Sequence, residues 1–213
     1  MAELDLHEQE QVDALKSWWK ENGKWVLAAV LLVVLGFVAM QFWKSHQAQQ
    51  AGEAGKLYAE VEKQLQSNDP KRVNDAVAAL VDKFAGSAYA PRAQLLAAQV
   101  NVQMKDMARA KTQLQWVIEH ANETGLQDTA RLKLASMLLD ESNYAEALKQ
   151  LDAASPEAFT GLYADLRGDV LSAQGKTQEA RAAYKQALDK IESKSTYRSL
   201  VQLKLDGLGG DAK

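Results

Sequence analysis

Cysteine is absent from the 213 residues. The chain therefore has no disulfide, no thiol nucleophile and no thiolate metal site, whichever redox compartment holds it. Histidine occurs only three times, and His7, His46 and His120 stand far apart, with no second ligand at i+3 or i+4 to build a metal centre. No serine occupies a nucleophile-elbow setting. Acidic pairs such as Asp140-Glu141 fall beside a helix end, where capping or solvation is the ordinary role. These absences argue against an enzyme, and no cofactor is expected. An excess of one charge is missing too. Of 28 acids and 25 Lys+Arg, six acids and three lysines lie in residues 1–24, which leaves 22 of each in residues 44–213. A balanced domain without a basic stripe argues against nucleic acid as the partner.

What is present begins with residues 25–43, "WVLAAVLLVVLGFVAMQFW", nineteen residues without a charge and with one amide, Gln41. At about 1.5 Å per residue the stretch is roughly 28 Å long, close to a bilayer core of about 30 Å. Its eleven Val, Leu and Phe residues each favour insertion, and Trp25 and Trp43 stand at the two ends, where aromatic belts belong. A cleaved signal peptide has a short basic start and a shorter apolar run; here the start is long and acidic and Lys44 follows directly. A buried core helix needs surroundings that the preceding 24 residues do not supply. The stretch reads as an uncleaved transmembrane anchor. Lys16, Lys20 and Lys24 bias it towards an N-terminus inside and a following domain outside. Ahead of it, "QVDALKSWWKENGK" sets Val12, Leu15, Trp18 and Trp19 on one helical face before an expected break at Asn22-Gly23, as in a helix lying at the membrane interface.

The division that follows is an acidic, amphipathic tail on the inside (residues 1–24), the transmembrane helix (25–43), a polar helix-prone linker or stalk (44–56) and a domain on the outside (57–213). That domain reads as helix after helix, with apolar residues at i, i+3 and i+4 and no period-two alternation. Breaks are expected at 67–70, 86–91, 120–125, 141–143, 154–161 and 193–196. "MARAKTQL", "YAEALKQL" and "TQEARAAY" align on Ala110, Ala147 and Ala180, spaced by 37 and 33 residues. A weaker fourth copy, "VNDAVAAL", aligns on Ala76. A period near 34 is that of the tetratricopeptide helix-turn-helix. The fold class is all-α: one N-terminal transmembrane helix followed by a tetratricopeptide-like α-solenoid of helical hairpins, with an ordinary helical bundle as the alternative.

Two short words inside "LRGDVLSAQGKTQEARAAYKQAL" belong to that repeat. "GKT" resembles the tail of a phosphate loop, but the first glycine of such a loop would fall on Val170, and helical spacing rather than a strand precedes it. "RGD" lies on the same helical pattern. Gly168, Leu171, Gly175, Ala180, Tyr184 and Ala187 take the small, large and turn positions of the repeat, although Ala98 and Ala135 replace Gly168 in the earlier copies.

"QVDALKSWWKENGK" and "GLYADLRGDVLSAQGKTQEARAAYKQAL" together resemble the YfgM family, the ancillary subunit of the bacterial Sec translocon. The resemblance implies a Gram-negative inner-membrane protein with a periplasmic domain. It also implies work beside the Sec translocon and a membrane-anchored chaperone of the peptidyl-prolyl isomerase type, with exported unfolded chains as further partners. An envelope-assembly scaffold unrelated to secretion has the same sequence features. In tetratricopeptide arrays the first helix of each pair lines the concave side. The template puts Arg92, Leu95, Gln99, Val102 and Gln103 there, then Leu132, Ser136, Leu139 and Asp140, then Leu162, Asp165, Asp169 and Ser172. One arginine against three aspartates does not make a clamp for an acidic tail, which needs several cations. Segments that are apolar or amphipathic fit better, unless the leucines simply pack between repeats.

Overall fold

In the computed structural model, residues 2–67, 69–153 and 157–209 are described, with side chains from residue 10 onward. All regular structure among them is helical: α1 (Ala2–Leu65), α2 (Pro70–Phe84), α3 (Tyr89–Gln103), α4 (Met107–His120), α5 (Thr124–Asp140), α6 (Tyr144–Leu151), α7 (Glu157–Ala173), α8 (Thr177–Lys190) and α9 (Thr196–Gly207). Two compact units are distinguished, one ending at Gly52 and the other beginning at Glu53.

The first unit is the part of helix α1 that precedes Glu53, and the end of α1 belongs to the second. Among the described residues α1 is the one helix long and apolar enough to cross a membrane. Trp25, Leu31, Val33, Phe37, Phe42 and Trp43 are exposed around it, the pattern of a helix whose solvent is lipid. The break expected at Asn22-Gly23 does not occur, because α1 runs through it. Asn22 donates from Nδ2 to the Trp18 carbonyl at 3.1 Å, and the Trp19 indole folds over Gly23, 3.1 Å from where a Cβ would stand. A single glycine costs a helix only about 1 kcal/mol, and good helix formers on both sides outweigh it. Residues 44–56 are likewise helical throughout.

The second unit is a chain of antiparallel helix pairs, each element packed mainly on its sequence neighbours from α2·α3 through α8·α9. Three of its turns share one construction. In the α3–α4, α5–α6 and α7–α8 turns a residue adopts positive φ: Lys105 (62°), Ser142 (59°) and Gly175 (75°). In each, the next amide reaches back five residues in a Schellman closure: Asp106 N to Asn101 O (2.8 Å), Asn143 N to Leu138 O (2.8 Å) and Lys176 N to Leu171 O (2.9 Å). The word "GKT" is this turn.

Four residues beyond each N-cap, Ala110, Ala147 and Ala180 donate to the cap carbonyls of Asp106, Asn143 and Lys176, and all three are 0% exposed. The counterpart in α2 is Val73, which donates to Asp69 O and is buried. Ala76, aligned from sequence, is only partly buried. The fourth copy is thus shifted by three residues, since Asp69 rather than the alanine sets the register: its carboxylate accepts from Lys71 N and Arg72 N, with Pro70 opening the helix. Two other breaks are shorter than expected. α3 already includes Tyr89 to Pro91, and α7 begins at Glu157, with 154–156 outside the described residues.

Three apolar clusters run along the array. The N-terminal one joins Ala54 and Val61 of α1 to Val73, Val77 and Leu80 of α2 and Ala93 and Ala97 of α3. The central one holds Ala98, Leu114, Ala135, Leu138 and Leu151. The C-terminal one holds Leu171, Tyr184, Leu188 and Val201 of α9. A buried amide network stitches the first helices together: Asn101 donates to Gln113 Oε1 (2.7 Å) and exchanges hydrogen bonds with Asn74 (3.0 Å each), while Gln113 donates to Asn74 (2.8 Å). Each of these polar groups is satisfied by another, which keeps their burial inexpensive.

Candidate functional site

The inner-face residues named from the repeat template fall into three environments. Leu95 of α3 and Leu132 and Leu139 of α5 are partly buried against the central cluster, so they belong to the packing between helices as much as to a surface. Gln99, Val102, Gln103, Ser136 and Asp140 are exposed and available to a partner. Arg92 is half-buried and engaged, donating from Nη2 to Glu123 Oε2 at 2.8 Å and from Nη1 to the Ala88 carbonyl.

The third environment departs from the template. Asp165, named as a groove residue, is 2% exposed, and two side chains of α9, which packs on α8, reach across to it. Tyr197 donates its hydroxyl to Asp165 Oδ2. Lys204 donates to both Asp165 oxygens (3.0 and 2.9 Å) and to Asp169 Oδ2 (2.7 Å). Tyr184 donates to Asp169 Oδ1 at 2.8 Å, and the Lys204 ammonium stands 5.9 Å from the centre of the Tyr184 ring. The two aspartates therefore hold the last helix down rather than facing a ligand. Leu162 and Ser172 are half-buried on the same helix.

Burial first, then the hydrogen bond and charge of Asp165, push the Tyr197 phenol well above its ordinary pKa. Tyr184 is raised in the same way by burial and Asp169, and Tyr163 by burial and Asp128, whose Oδ1 accepts its hydroxyl at 2.7 Å. Burial of Lys204 works to lower its pKa, but the hydrogen bonds and charges of Asp169 and Asp165 outweigh it and the ammonium ends above its usual value. The tyrosines and lysine are thereby fixed as neutral phenols and a cation at physiological pH. They fasten helices.

Sequence reasoning missed Tyr197 and Lys204 as partners of Asp165 and Asp169, since they lie more than thirty residues downstream. A signal existed: aspartates at i and i+4 in the apolar stripe of a repeat need a donor. The word "RGD" is confirmed as a helix face. Arg167 donates to the Leu151 carbonyl (2.7 Å) and Asp152 (2.9 Å), Gly168 is buried, and Asp169 is engaged as above. His46 contacts Gln50, and His120 contacts its own helix through the Trp116 carbonyl; the His7 side chain lies outside the described residues. Among the described residues no three His, Asp or Glu gather as a metal site. Trp25 and Trp43 are exposed at the two ends of the apolar stretch of α1.

A family of tetratricopeptide repeat-like domains matches residues 16–210. The chain is 33% identical over 204 residues to a protein of Neisseria gonorrhoeae (strain ATCC 700825 / FA 1090) called ancillary SecYEG translocon subunit, covering 95% of this chain and 98% of that one. It is 29% identical over 209 residues to the protein of the same name from Escherichia coli (strain K12), covering 97% and 98%. Among solved structures, the MamA RS-1 ArsTM double mutant superposes with a TM-score of 0.53 at 16% identity, over 74% of this chain and 96% of that one. At that identity the likeness is one of fold.

Proposed function

The chain belongs to the YfgM family of ancillary SecYEG translocon subunits, tetratricopeptide repeat-like proteins, and from that premise we propose that it is a single-pass inner-membrane scaffold that binds protein segments beside the Sec translocon. Its finer role is to link translocated polypeptides to a membrane-anchored, isomerase-type periplasmic chaperone. The N-terminus is cytoplasmic and the helical array periplasmic, an orientation favoured by Lys16, Lys20 and Lys24 on one side of the apolar stretch. No step of this role needs a reactive group.

The observation that carries the reading is the joining of a lipid-facing helix to a repeat array by a short connection. Eleven steps of chain separate Trp43 from Ala54, the first residue buried in the array. Even fully extended they reach about 36 to 40 Å. A binding surface so tethered works within a few nanometres of the membrane, where an exported chain emerges and where a second membrane-anchored protein is at high effective concentration. The exposed inner-face residues Gln99, Val102 and Ser136 supply the mixed polar and apolar surface that protein segments use.

Photocrosslinking in native membranes tests the proposal. A benzophenone side chain placed at Gln99 or Ser136 is expected to capture translocon subunits, the chaperone or a chain in transit. Capture of envelope-assembly factors in their place moves the protein to a scaffold unrelated to secretion. For orientation, protease added to intact spheroplasts is expected to digest the array. Survival of the array until the inner membrane is lysed reverses the topology.

A further inference from the structure

We infer a second binding site on the array, on the side formed by the second helices of the pairs: a groove between α4 and α6 that takes a short polypeptide segment carrying an apolar side chain next to a lysine or arginine. This goes beyond the proposed role, whose surface is the opposite one.

The groove lies beside α6, the short one among the second helices. α4 and α8 each have 14 residues, whereas α6 has eight and ends at Leu151. The missing six residues correspond to about 9 Å of helix. Between α4 and α6 a cavity of about 440 Å³ opens. Its floor is apolar, made by Leu134 and Leu138 of α5, with the half-buried Trp116 ring as one wall and Gln150 of α6 opposite. The Trp116 ring is held flat against His120, with centroids 4.5 Å apart and planes within 4°. A fixed indole beside two leucines is an anchor for one bulky aliphatic or aromatic side chain.

Charge decides what flanks that side chain. At the end of the groove where α4 begins, Lys111 is bound by both oxygens of Glu141, at 2.8 and 2.6 Å, so this cation is already neutralised. Among the described residues Glu119, at the other end, meets the side-chain amide of Gln115, at 2.7 Å, and no cation. Glu146 faces one cation, its exposed i+3 neighbour Lys149 at 3.1 Å, a pair of small worth in water. Among the described residues the rim therefore offers carboxylate with little counter-charge next to an apolar floor. An acidic segment would be repelled and a purely apolar one would leave Glu119 without a counter-charge, whereas a segment pairing a leucine-type side chain with a lysine satisfies both.

The test uses the full-length protein in phosphatidylcholine nanodiscs with Trp18, Trp19, Trp25 and Trp43 changed to Phe. Trp116 is then the sole tryptophan of the five. The probe is an acetylated and amidated nonapeptide of leucine, alanine and lysine, paired with a version in which glutamate replaces lysine. Expected is a saturable blue shift of Trp116 emission with the lysine peptide. Affinity should fall about tenfold for the glutamate peptide and in the Glu119→Lys variant, with a smaller fall in Glu119→Gln. Gln150→Phe, which fills the groove from its rim, should abolish the shift while circular dichroism remains that of the parent. An unsaturable response, or equal affinity for both peptides and for the Glu119 variants, overturns the inference. Displacement of the peptide by submicellar dihexanoylphosphatidylcholine also overturns it, because a lipid chain is then the occupant.

Discussion

At the scale of single residues, the three hairpin turns repeat one backbone conformation with three different side chains. Lys105, Ser142 and Gly175 all have positive φ, a region that costs an L-residue about 1–2 kcal/mol and glycine almost nothing. Lys105→Gly and Ser142→Gly are therefore expected to stabilise the array by about 0.5–1 kcal/mol each after glycine's greater unfolded-state entropy is counted, and Gly175→Ala to destabilise it by about 1 kcal/mol. Urea midpoints at constant m-value read these changes. A second set of equivalent positions, sixteen residues apart, pairs Ala98 with Leu114, Ala135 with Leu151 and Gly168 with Tyr184, all buried. A Cβ at Gly168 would stand 2.4 Å from the Tyr184 ring, so the glycine makes room for the larger partner. Gly168→Ala is expected to cost about 1–3 kcal/mol by overpacking. The double variant Gly168→Ala/Tyr184→Leu recreates the pair used by the other two hairpins and should recover part of that loss. The remainder is the hydrogen bond that Tyr184 gives Asp169.

At the scale of elements, α9 ends the array by fastening itself to α7 through ionisable groups, and its hold depends on pH with a definite sign. Tyr184, Tyr197 and Lys204 all bind their protons more tightly in the folded chain than their ordinary values of 10.0 and 10.5 imply. Above about pH 10 the unfolded chain releases these protons first, so it binds fewer than the folded one and stability falls as pH rises. Below that range the contribution is fully present. Urea unfolding is expected to give the same midpoint at pH 7 and 8.5 and a lower one by pH 11, with a shallower decline in Tyr197→Phe. This fastening was the least legible part of the sequence. Helix positions and most breaks followed from apolar spacing and from clusters of turn residues, which are local signals, although the turn at 104–106 between α3 and α4 was not among the expected breaks. The same local signals misled at Asn22-Gly23, where the i−4 hydrogen bond of Asn22 and the Trp19 ring carry the helix through. They also placed Ala76 where Val73 belongs, since alanine content mimics the repeat while the cap fixes its register. Asp165 and Asp169 were read as surface because their partners Tyr197 and Lys204 arrive from a later element.

At the scale of the molecule, function depends on separating the residues that hold the array together from those it presents. In a solenoid each pair is stabilised chiefly by its neighbours, so damage to one interface weakens the array in both directions. Leu95, Leu132 and Leu139 sit in such interfaces, packed on the central cluster, although their positions in the repeat are those of a groove. An aspartate at any one of them would bury an unpaired charge at a cost of several kcal/mol, a large share of the stability of an ordinary domain. Leu95→Asp combined with Leu132→Asp and Leu139→Asp is therefore expected to unfold the array, and loss of partner capture in that variant would say nothing about the site. Gln99, Val102 and Ser136 lie on the same first helices but are exposed, so Gln99→Asp, Val102→Asp and Ser136→Asp together should leave circular dichroism and the urea midpoint close to the parent. If the inner surface receives protein segments of mixed apolar and polar character, these three charges repel them, and crosslinking to translocon subunits from a probe at Gln103 should fall at least about tenfold. Undiminished capture in this folded variant, together with loss of capture in Glu119→Lys, would transfer the binding role from the inner surface to the α4–α6 groove.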